Sequence, residues 1–369
     1  MIDAIIERLS SNQNFRYLIA MQKIVGMLFD AFMLVLGPCL ITVVFGIVTG
    51  ELYAFFTFLL PLHAKTFSIW WILNAVFAVY LAFSSLFNYV MCVTTNAGTH
   101  DSKTYKLLML EAREAGHILS ESNRTNGSVS DKSRIVQRNS NSRGGGGRGN
   151  QSSTEKKPKS WVDQGAFEWG YCKRTGLPKA PRAHFDHITK KLVLNMDHYC
   201  PWMFNVVGYL NYRYFVLFLF WIFVACVYGL CLTTLPFIQM VQRNKGSRYR
   251  LKMDFSVRSA VSYTFILALS IGLAVSLLFF WHVYLVLTSQ TTIEFYGNQT
   301  KKFRARLRGQ RYRNPYDMGM KRNWEHVFGH GHWAMVLLPS TKPPPWPPWP
   351  SLPHESTETA TMLRDEHIV

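Results

Sequence analysis

Four long apolar runs restrict the folds that this sequence can adopt. They lie at about residues 31–49, 67–93, 214–240 and 261–286, and residues 52–62 extend the first run as an interfacial piece or a longer tilted span. About 20 apolar residues form a helix that crosses the hydrocarbon core of a bilayer. The bunching of apolar residues therefore predicts an all-α membrane protein with four transmembrane helices.

The composition between these runs predicts the rest of the organisation. Residues 121–159 are rich in Ser, Asn, Gly and Arg, and such a segment buries too little apolar surface to fold alone. The predicted segments are an interfacial N-terminal helix (1–23), spans 1 and 2 (24–95), a largely disordered cytosolic linker (96–160), a compact unit (161–213), spans 3 and 4 (214–288) and a cytosolic tail (289–369).

The charge distribution indicates a membrane surface rather than nucleic acid. The net charge is +18, but Lys and Arg cluster beside the apolar runs and in the linker, without interleaved aromatic residues that would read bases. Anionic lipid headgroups are the expected partner. A basic stretch at residues 243–258 opposes the positive-inside tendency, but the linker, the compact unit and the tail outweigh it. We therefore expect both termini and the compact unit to be cytosolic.

An acid, a base and a thiol occur within four residues, at Asp197, His198 and Cys200. A thiol with a pKa of about 8.5 is a weak nucleophile at neutral pH, and an imidazole that accepts its proton activates it. In an extended backbone, residues two apart face the same side, so His198 is the candidate base for Cys200. Asp197 is the candidate for fixing the imidazole tautomer. An Asp-His pair near one cysteine also arises by chance.

The surrounding residues resemble the DHHC protein S-acyltransferases, in a variant form that reads DHYC. The resemblance rests on several motifs: Asp197-His-Tyr-Cys200-Pro-Trp, Asn205-Val-Val-Gly208, Asn211-Tyr-Arg-Tyr-Phe215, Tyr171-Cys172, Pro178-Lys-Ala-Pro-Arg182-Ala-His184, Thr94-Thr-Asn-Ala-Gly98, Thr291-Thr-Ile-Glu294 and Asn314-Pro-Tyr316. It implies transfer of a palmitoyl group from palmitoyl-CoA to cysteines of membrane-associated proteins. It also implies catalytic roles for Asp197, His198 and Cys200, and an endoplasmic reticulum or Golgi location. The resemblance further implies that Thr291, Thr292 and Glu294 dock on the catalytic unit, and a helix end that is merely polar is the alternative.

The sequence departs from the family at its zinc ligands. The family's unit holds two zinc ions, each with three Cys and one His, and this chain keeps Cys172 alone. The other seven positions are Thr175, Phe185, Asp186, Thr189, Leu192, Tyr199 and Val206. Zinc needs four Cys or His donors within reach, so we expect no zinc cofactor. A makeshift site from Cys172, His184, Asp186 and His187 is an alternative.

Apolar side chains are expected to replace the metal as the core of this unit. The candidates are Phe185, Leu192, Val193, Leu194, Phe204, Val206 and Val207.

The sequence leaves two other functions as alternatives. A family member that lost zinc and then activity would act as a membrane adaptor. A channel or transporter is the weaker alternative, because it would need more central charges than Asp30 provides. Residues 343–350 form a proline-rich run that is compatible with an SH3 or WW partner, and equally with a tail at the membrane interface.

Overall fold

The computed structural model describes residues 13–116, 167–242 and 253–347. Several predicted features lie outside these ranges: the first half of the interfacial N-terminal helix, the low-complexity part of the linker, most of the basic stretch between spans 3 and 4, and the end of the proline-rich run. The described chain is mostly helical, and 66% of it is helix.

Among the residues that the structure describes, four helices are long and apolar enough to cross a membrane, which confirms the predicted fold class. The first span begins in α1 (Gln13–Ala54) and continues through a π-helical turn (Phe55–Leu59) and α2 (Leu60–His63). The other spans are α3 (Ile69–Thr94), α5 (Tyr212–Val241) and α6 (Phe255–Leu287). Helix α1 continues unbroken past residue 23, and α6 begins before the predicted residue 261. Helices extend beyond the most apolar window because flanking polar residues such as Gln13 also tolerate helical geometry.

The remaining elements are short. Helix α4 (Lys103–Glu114) follows span 2, and helices α7 (Thr292–Leu307) and α8 (Met320–Phe328) follow span 4. In the described part of the segment between α4 and α5 (residues 167–211) lie six strands of two or three residues: β1 (Gly170–Cys172), β2 (Leu177–Lys179), β3 (His184–Phe185), β4 (Leu192–Val193), β5 (His198–Cys200) and β6 (Asn205–Val207). They form three two-stranded sheets, each from consecutive strands.

The chain forms two compact units. The first comprises Met1–Val93, Tyr199–Asn205 and Phe220–Val275. Its helices share an apolar cluster around Leu59, Leu60 and Val261, each at most 2% exposed. Apolar side chains on the outer faces of the spans are widely exposed, as expected where lipid rather than protein is the neighbour.

The second unit comprises Thr94–His198, Val206–Leu219 and Ser276–Val369. Its core joins α4 to the strand region, because Tyr105 and Leu108 pack with Leu192 and Leu194. The Tyr105 hydroxyl also donates to the Pro178 carbonyl at 2.9 Å, which ties α4 to β2. The short strands thus pack against α4, and the helix and the strands share one apolar core.

The motif Thr94-Thr-Asn-Ala-Gly98 forms a turn that follows span 2 and ends at a glycine. Helix α3 ends at Thr94, and the Asn96 side-chain oxygen accepts from the backbone N–H groups of Gly98 and Thr99 at 2.8 and 2.9 Å. Gly98 has a φ of +93°, which a residue with a Cβ rarely adopts. The Asn96 side chain therefore closes this turn through its side-chain oxygen.

Candidate functional site

The structure brings Asp197 and His198 together. The side chain of Asp197 is fully buried, whereas the His198 side chain is 32% exposed, and Nδ1 of His198 lies 2.7 Å from Oδ2 of Asp197. Because an ionised carboxylate only accepts hydrogen bonds, Nδ1 carries the proton and Nε2 of the neutral ring carries the lone pair. This geometry is the tautomer control that the sequence predicts.

The environment of Asp197 keeps it ionised. Burial opposes the charge, but the hydrogen bond from His198 and the hydrogen bond from the backbone N–H of Thr292 outweigh it and hold the pKa of Asp197 below its usual value. Thr292 is the first residue of α7. The positive N-terminal end of that helix also favours the carboxylate. Asp197 is therefore a permanent acceptor at neutral pH.

The Thr-Thr-Ile-Glu motif docks on the strand region as predicted. Thr292 donates to Asp197 twice, from its backbone N–H at 2.7 Å and from its hydroxyl at 3.0 Å. Thr291 and Glu294 form a reciprocal capping box at the start of α7. The first turn of α7 thus fixes the carboxylate that orients His198.

Arg182 completes this docking, a role that sequence reasoning did not assign. Its Nε and Nη2 atoms each lie 2.7 Å from an oxygen of Glu294, and the two side chains are only 7% and 10% exposed. Its guanidinium also lies 4.5 Å from the centre of the Tyr316 ring. Bidentate geometry suits arginine and fixes the angle of approach. This contact joins the β2–β3 connection, α7 and the Asn314-Pro-Tyr316 motif.

His282 is a second residue that the sequence analysis missed. It lies in span 4 and is 3% exposed, and its ring centroid is 6.0 Å from that of His198 and 4.9 Å from that of Phe215. Its Nδ1 shares a 3.0 Å hydrogen bond with the Tyr212 hydroxyl. The available signal was a histidine inside an apolar run, because polar residues at membrane depth usually serve a function.

Cys200 is the last residue of β5 and is 7% exposed, in the first unit. A 3₁₀ turn (Pro201–Met203) follows it, and Phe204 then adopts a left-handed conformation with a φ of +47°. That conformation is unfavourable for a bulky residue and occurs where surrounding structure enforces it. Phe204 was expected in the apolar core of the strand region, but its ring instead packs directly on the backbone of Gly37.

Span 2 holds the turn after Cys200 in place. The Tyr89 hydroxyl donates to the Trp202 carbonyl at 2.7 Å. The Asn205 side chain donates to the carbonyls of Cys92 and Val93, both at 3.1 Å. These carbonyls belong to the last turn of α3, where backbone acceptors lack helical partners. The segment that carries the thiol is therefore fastened on its C-terminal side.

The residues at the family's zinc positions do not fit zinc. Asp186 and Thr189 bond to each other, because Oδ2 of Asp186 accepts from the Thr189 backbone N–H and hydroxyl, both at 2.6 Å. Leu192 and Val206 are 0% and 1% exposed and offer no donor atom. Phe185 packs against the apolar core. Hydrogen bonds and apolar contacts thus occupy the places where metal ligands would converge.

Within the described residues, one group of three potential ligands converges. Its members are Asp197, His198 and His282, whose donor atoms all lie within 4.8 Å of one another. In the alternative set of Cys172, His184, Asp186 and His187, no three donor atoms lie this close together. The carboxylate of Asp197 already accepts from His198 and twice from Thr292. This arrangement suits the holding and moving of a proton.

Several known proteins are similar in sequence to this part of the chain. Residues 166–299 match the family model described as DHHC palmitoyltransferase. Similar proteins include Palmitoyltransferase ZDHHC16A of Danio rerio (30% identical over 218 residues), Probable protein S-acyltransferase 15 of Arabidopsis thaliana (32% over 169) and Palmitoyltransferase ZDHHC16 of Mus musculus (33% over 195). These matches cover 47%, 46% and 47% of this chain and 56%, 64% and 54% of the respective relatives.

The matched region contains the strands, the Asp197–His198 pair and the first half of α7. It lies partly between spans 2 and 3 and extends through span 4, and the four apolar helices mark a multi-pass membrane protein. Residues 166–299 of the chain are therefore similar to the DHHC palmitoyltransferase family.

Proposed function

We propose that this protein is a protein S-acyltransferase that moves a palmitoyl group from palmitoyl-CoA to cysteine thiols of membrane-associated proteins. The observation that carries the proposal is the buried, ionised Asp197, which fixes His198 two residues before Cys200. The family's zinc ligands are gone, yet the acid, the base and the thiol remain. The names of the relatives point to the same reaction.

The first half-reaction acylates the enzyme. Nε2 of His198 takes the proton from the Cys200 thiol, and Asp197 stabilises the imidazolium that results. The thiolate attacks the thioester carbonyl of palmitoyl-CoA, a new C–S bond forms at Cys200, and the bond to CoA breaks. The departing CoA thiolate takes up the proton from the His198 imidazolium, which becomes neutral again. Thr292 keeps Asp197 in position while the charge moves.

The second half-reaction transfers the chain to the substrate protein. A substrate cysteine loses its proton to His198 and attacks the acyl-Cys200 carbonyl. The palmitoyl group moves to the substrate, and Cys200 leaves as a thiolate that is then protonated. Both half-reactions exchange one thioester for another, so the enzyme needs no metal or redox partner.

The same proposal includes an orientation and a location. The compact unit and both termini face the cytosol, in the endoplasmic reticulum or Golgi membrane. Basic side chains of α7, including Lys301, Lys302 and Arg304, then lie where anionic headgroups or the phosphates of acyl-CoA are available.

The test is acyl loading of the purified protein with labelled palmitoyl-CoA. Wild type is expected to acquire a label that hydroxylamine removes, and Cys200→Ala is expected to acquire none. Cys231→Ala is the matched control, because Cys231 is an exposed cysteine of span 3, and this variant is expected to load like wild type. Equal loading of wild type and Cys200→Ala would overturn the proposal.

The alternative is an inactive membrane adaptor. The replacement of seven of the family's eight zinc ligands is the observation that favours it. An adaptor would bind its partners equally well in a His198→Ala/Cys200→Ala double variant, and wild type would show no thioester label. The loading experiment therefore separates the two functions.

A further inference from the structure

The first part of the proline-rich tail lies against the second unit. Residues 339–347 have no regular secondary structure, and three of their backbone carbonyls accept side-chain hydrogen bonds. Tyr214 donates to Ser340 at 3.1 Å, and Nη1 of Arg213 donates to Lys342 at 2.9 Å. The Tyr209 hydroxyl donates to Pro345. A continuous stretch of tail is thus held through its backbone.

Side-chain packing adds an anchor to these hydrogen bonds. Trp346 packs against the apolar core that contains Leu192, Leu194 and Tyr209. This core lies where the family's zinc positions fall, since Leu192 occupies one of them. The tail therefore covers an apolar core that includes a position where the family has a zinc ligand.

The chemistry of this surface is that of a proline-segment receptor. Proline has no backbone N–H, so such a segment offers carbonyl acceptors and ring faces for recognition. Tyr209, Arg213 and Tyr214 are 9%, 6% and 2% exposed and supply aromatic faces with donors. The Arg213 guanidinium also lies 5.1 Å from the centre of the Tyr214 ring, which preorganises both groups.

We propose that Tyr209, Arg213 and Tyr214 form a binding site for a proline-rich peptide and that residues 340–346 of the same chain occupy it. An SH3 or WW domain that captures these prolines must first remove them from this site. A proline-rich peptide in trans must compete with the tail, whose tethering gives it a high effective concentration.

The site also touches the loop that joins β6 to span 3. In this loop the Asn211 side chain accepts from the Gly208 N–H at 2.9 Å and donates to the Val206 carbonyl at 2.8 Å. Tyr209 and Arg213 flank Asn211 in sequence. Occupation of the site therefore fixes the residues that follow β6.

The experiment measures binding of a fluorescent peptide with the sequence of residues 338–347 to the full chain in detergent, by fluorescence anisotropy. Wild type is expected to bind it weakly, because the tail fills the site. Trp346→Ala removes the anchor of the tail, so peptide affinity is expected to rise about tenfold or more. Adding Arg213→Ala to Trp346→Ala is expected to abolish that gain.

Two further variants keep the test decisive. Trp333→Ala is the matched control, because Trp333 is a tail tryptophan that is 66% exposed, and its peptide binding should equal that of wild type. Pro345→Gly keeps the carbonyl but loosens the tail backbone, and it should raise peptide affinity if Trp346→Ala does not yield folded protein. Unchanged affinity in both tail variants, or a gain that survives Arg213→Ala, would overturn the proposal. The readout is independent of acyl transfer.

Discussion

Replacement of Asp186 by alanine tests whether hydrogen bonds have taken the place of zinc. Asp186 is 3% exposed, and one of its carboxylate oxygens accepts two short hydrogen bonds from Thr189. The backbone N–H of Asp186 also donates to the Lys191 carbonyl at 2.8 Å, which closes the turn between β3 and β4. The Asp186→Ala variant loses both side-chain bonds and leaves the Thr189 N–H without its acceptor.

The magnitude follows from the chemistry of the lost bonds. A hydrogen bond to a charged group contributes about 1.5–3 kcal/mol, and the two bonds share one acceptor oxygen, so we expect a total loss of about 3 kcal/mol. In a folding unit of 150–250 residues, each kcal/mol of lost stability lowers Tm by about 2–4 °C. Tm of the variant should therefore fall by roughly 6–12 °C. Lys191→Ala is the control in the same turn, since its ion pair with Asp101 is 41% and 48% exposed and contributes less than about 1 kcal/mol.

The assay is thermal unfolding in detergent, followed by intrinsic fluorescence, with and without a chelator. We expect the chelator to leave the Tm of wild type unchanged and Asp186→Ala to unfold well below Lys191→Ala. A Tm of wild type that drops when zinc is removed would refute the reasoning. So would an Asp186→Ala variant as stable as the control.

Three other predictions follow from the site. Thr292→Val removes one hydrogen bond to Asp197 and should slow acyl loading about tenfold, whereas Thr300→Val, which loses an exposed bond on the same helix, should leave the loading rate unchanged. Gly208→Ala would place a Cβ 2.6 Å from the carbonyl oxygen of Ala97, so size-exclusion profiles should show little folded protein. Burial and nearby cationic side chains lower the pKa of His184 to about 3. The unfolded chain takes up this proton near pH 6.5, so Tm should fall as pH drops from about 7 to about 5, and less so in His184→Gln.

The sequence was sufficient for features that depend on local pattern. Apolar runs predicted the four spans, although α1 is continuous from Gln13 through the boundary predicted at residue 23. The adjacency of Asp197 and His198 predicted their hydrogen bond, because neighbouring side chains need only a local turn to meet. The apolar residues Leu192 and Val206 were correctly expected in the core.

Features that depend on distant segments were missed. His282 approaches His198 from span 4, and nothing near either residue in sequence indicates that contact. Phe204 was predicted in the strand core, but its left-handed backbone turns it onto Gly37. The docking of Trp346 joins residues more than a hundred positions apart. Proline-rich composition alone could not distinguish an internal ligand from an external one.

The most direct test of the account is mass spectrometry of the peptide that contains Cys200, after incubation of the purified protein with palmitoyl-CoA. The account predicts a hydroxylamine-sensitive palmitoyl thioester on Cys200 in wild type and strongly reduced occupancy in His198→Ala. An unmodified Cys200 in active, folded preparations, or equal occupancy in His198→Ala, would contradict it.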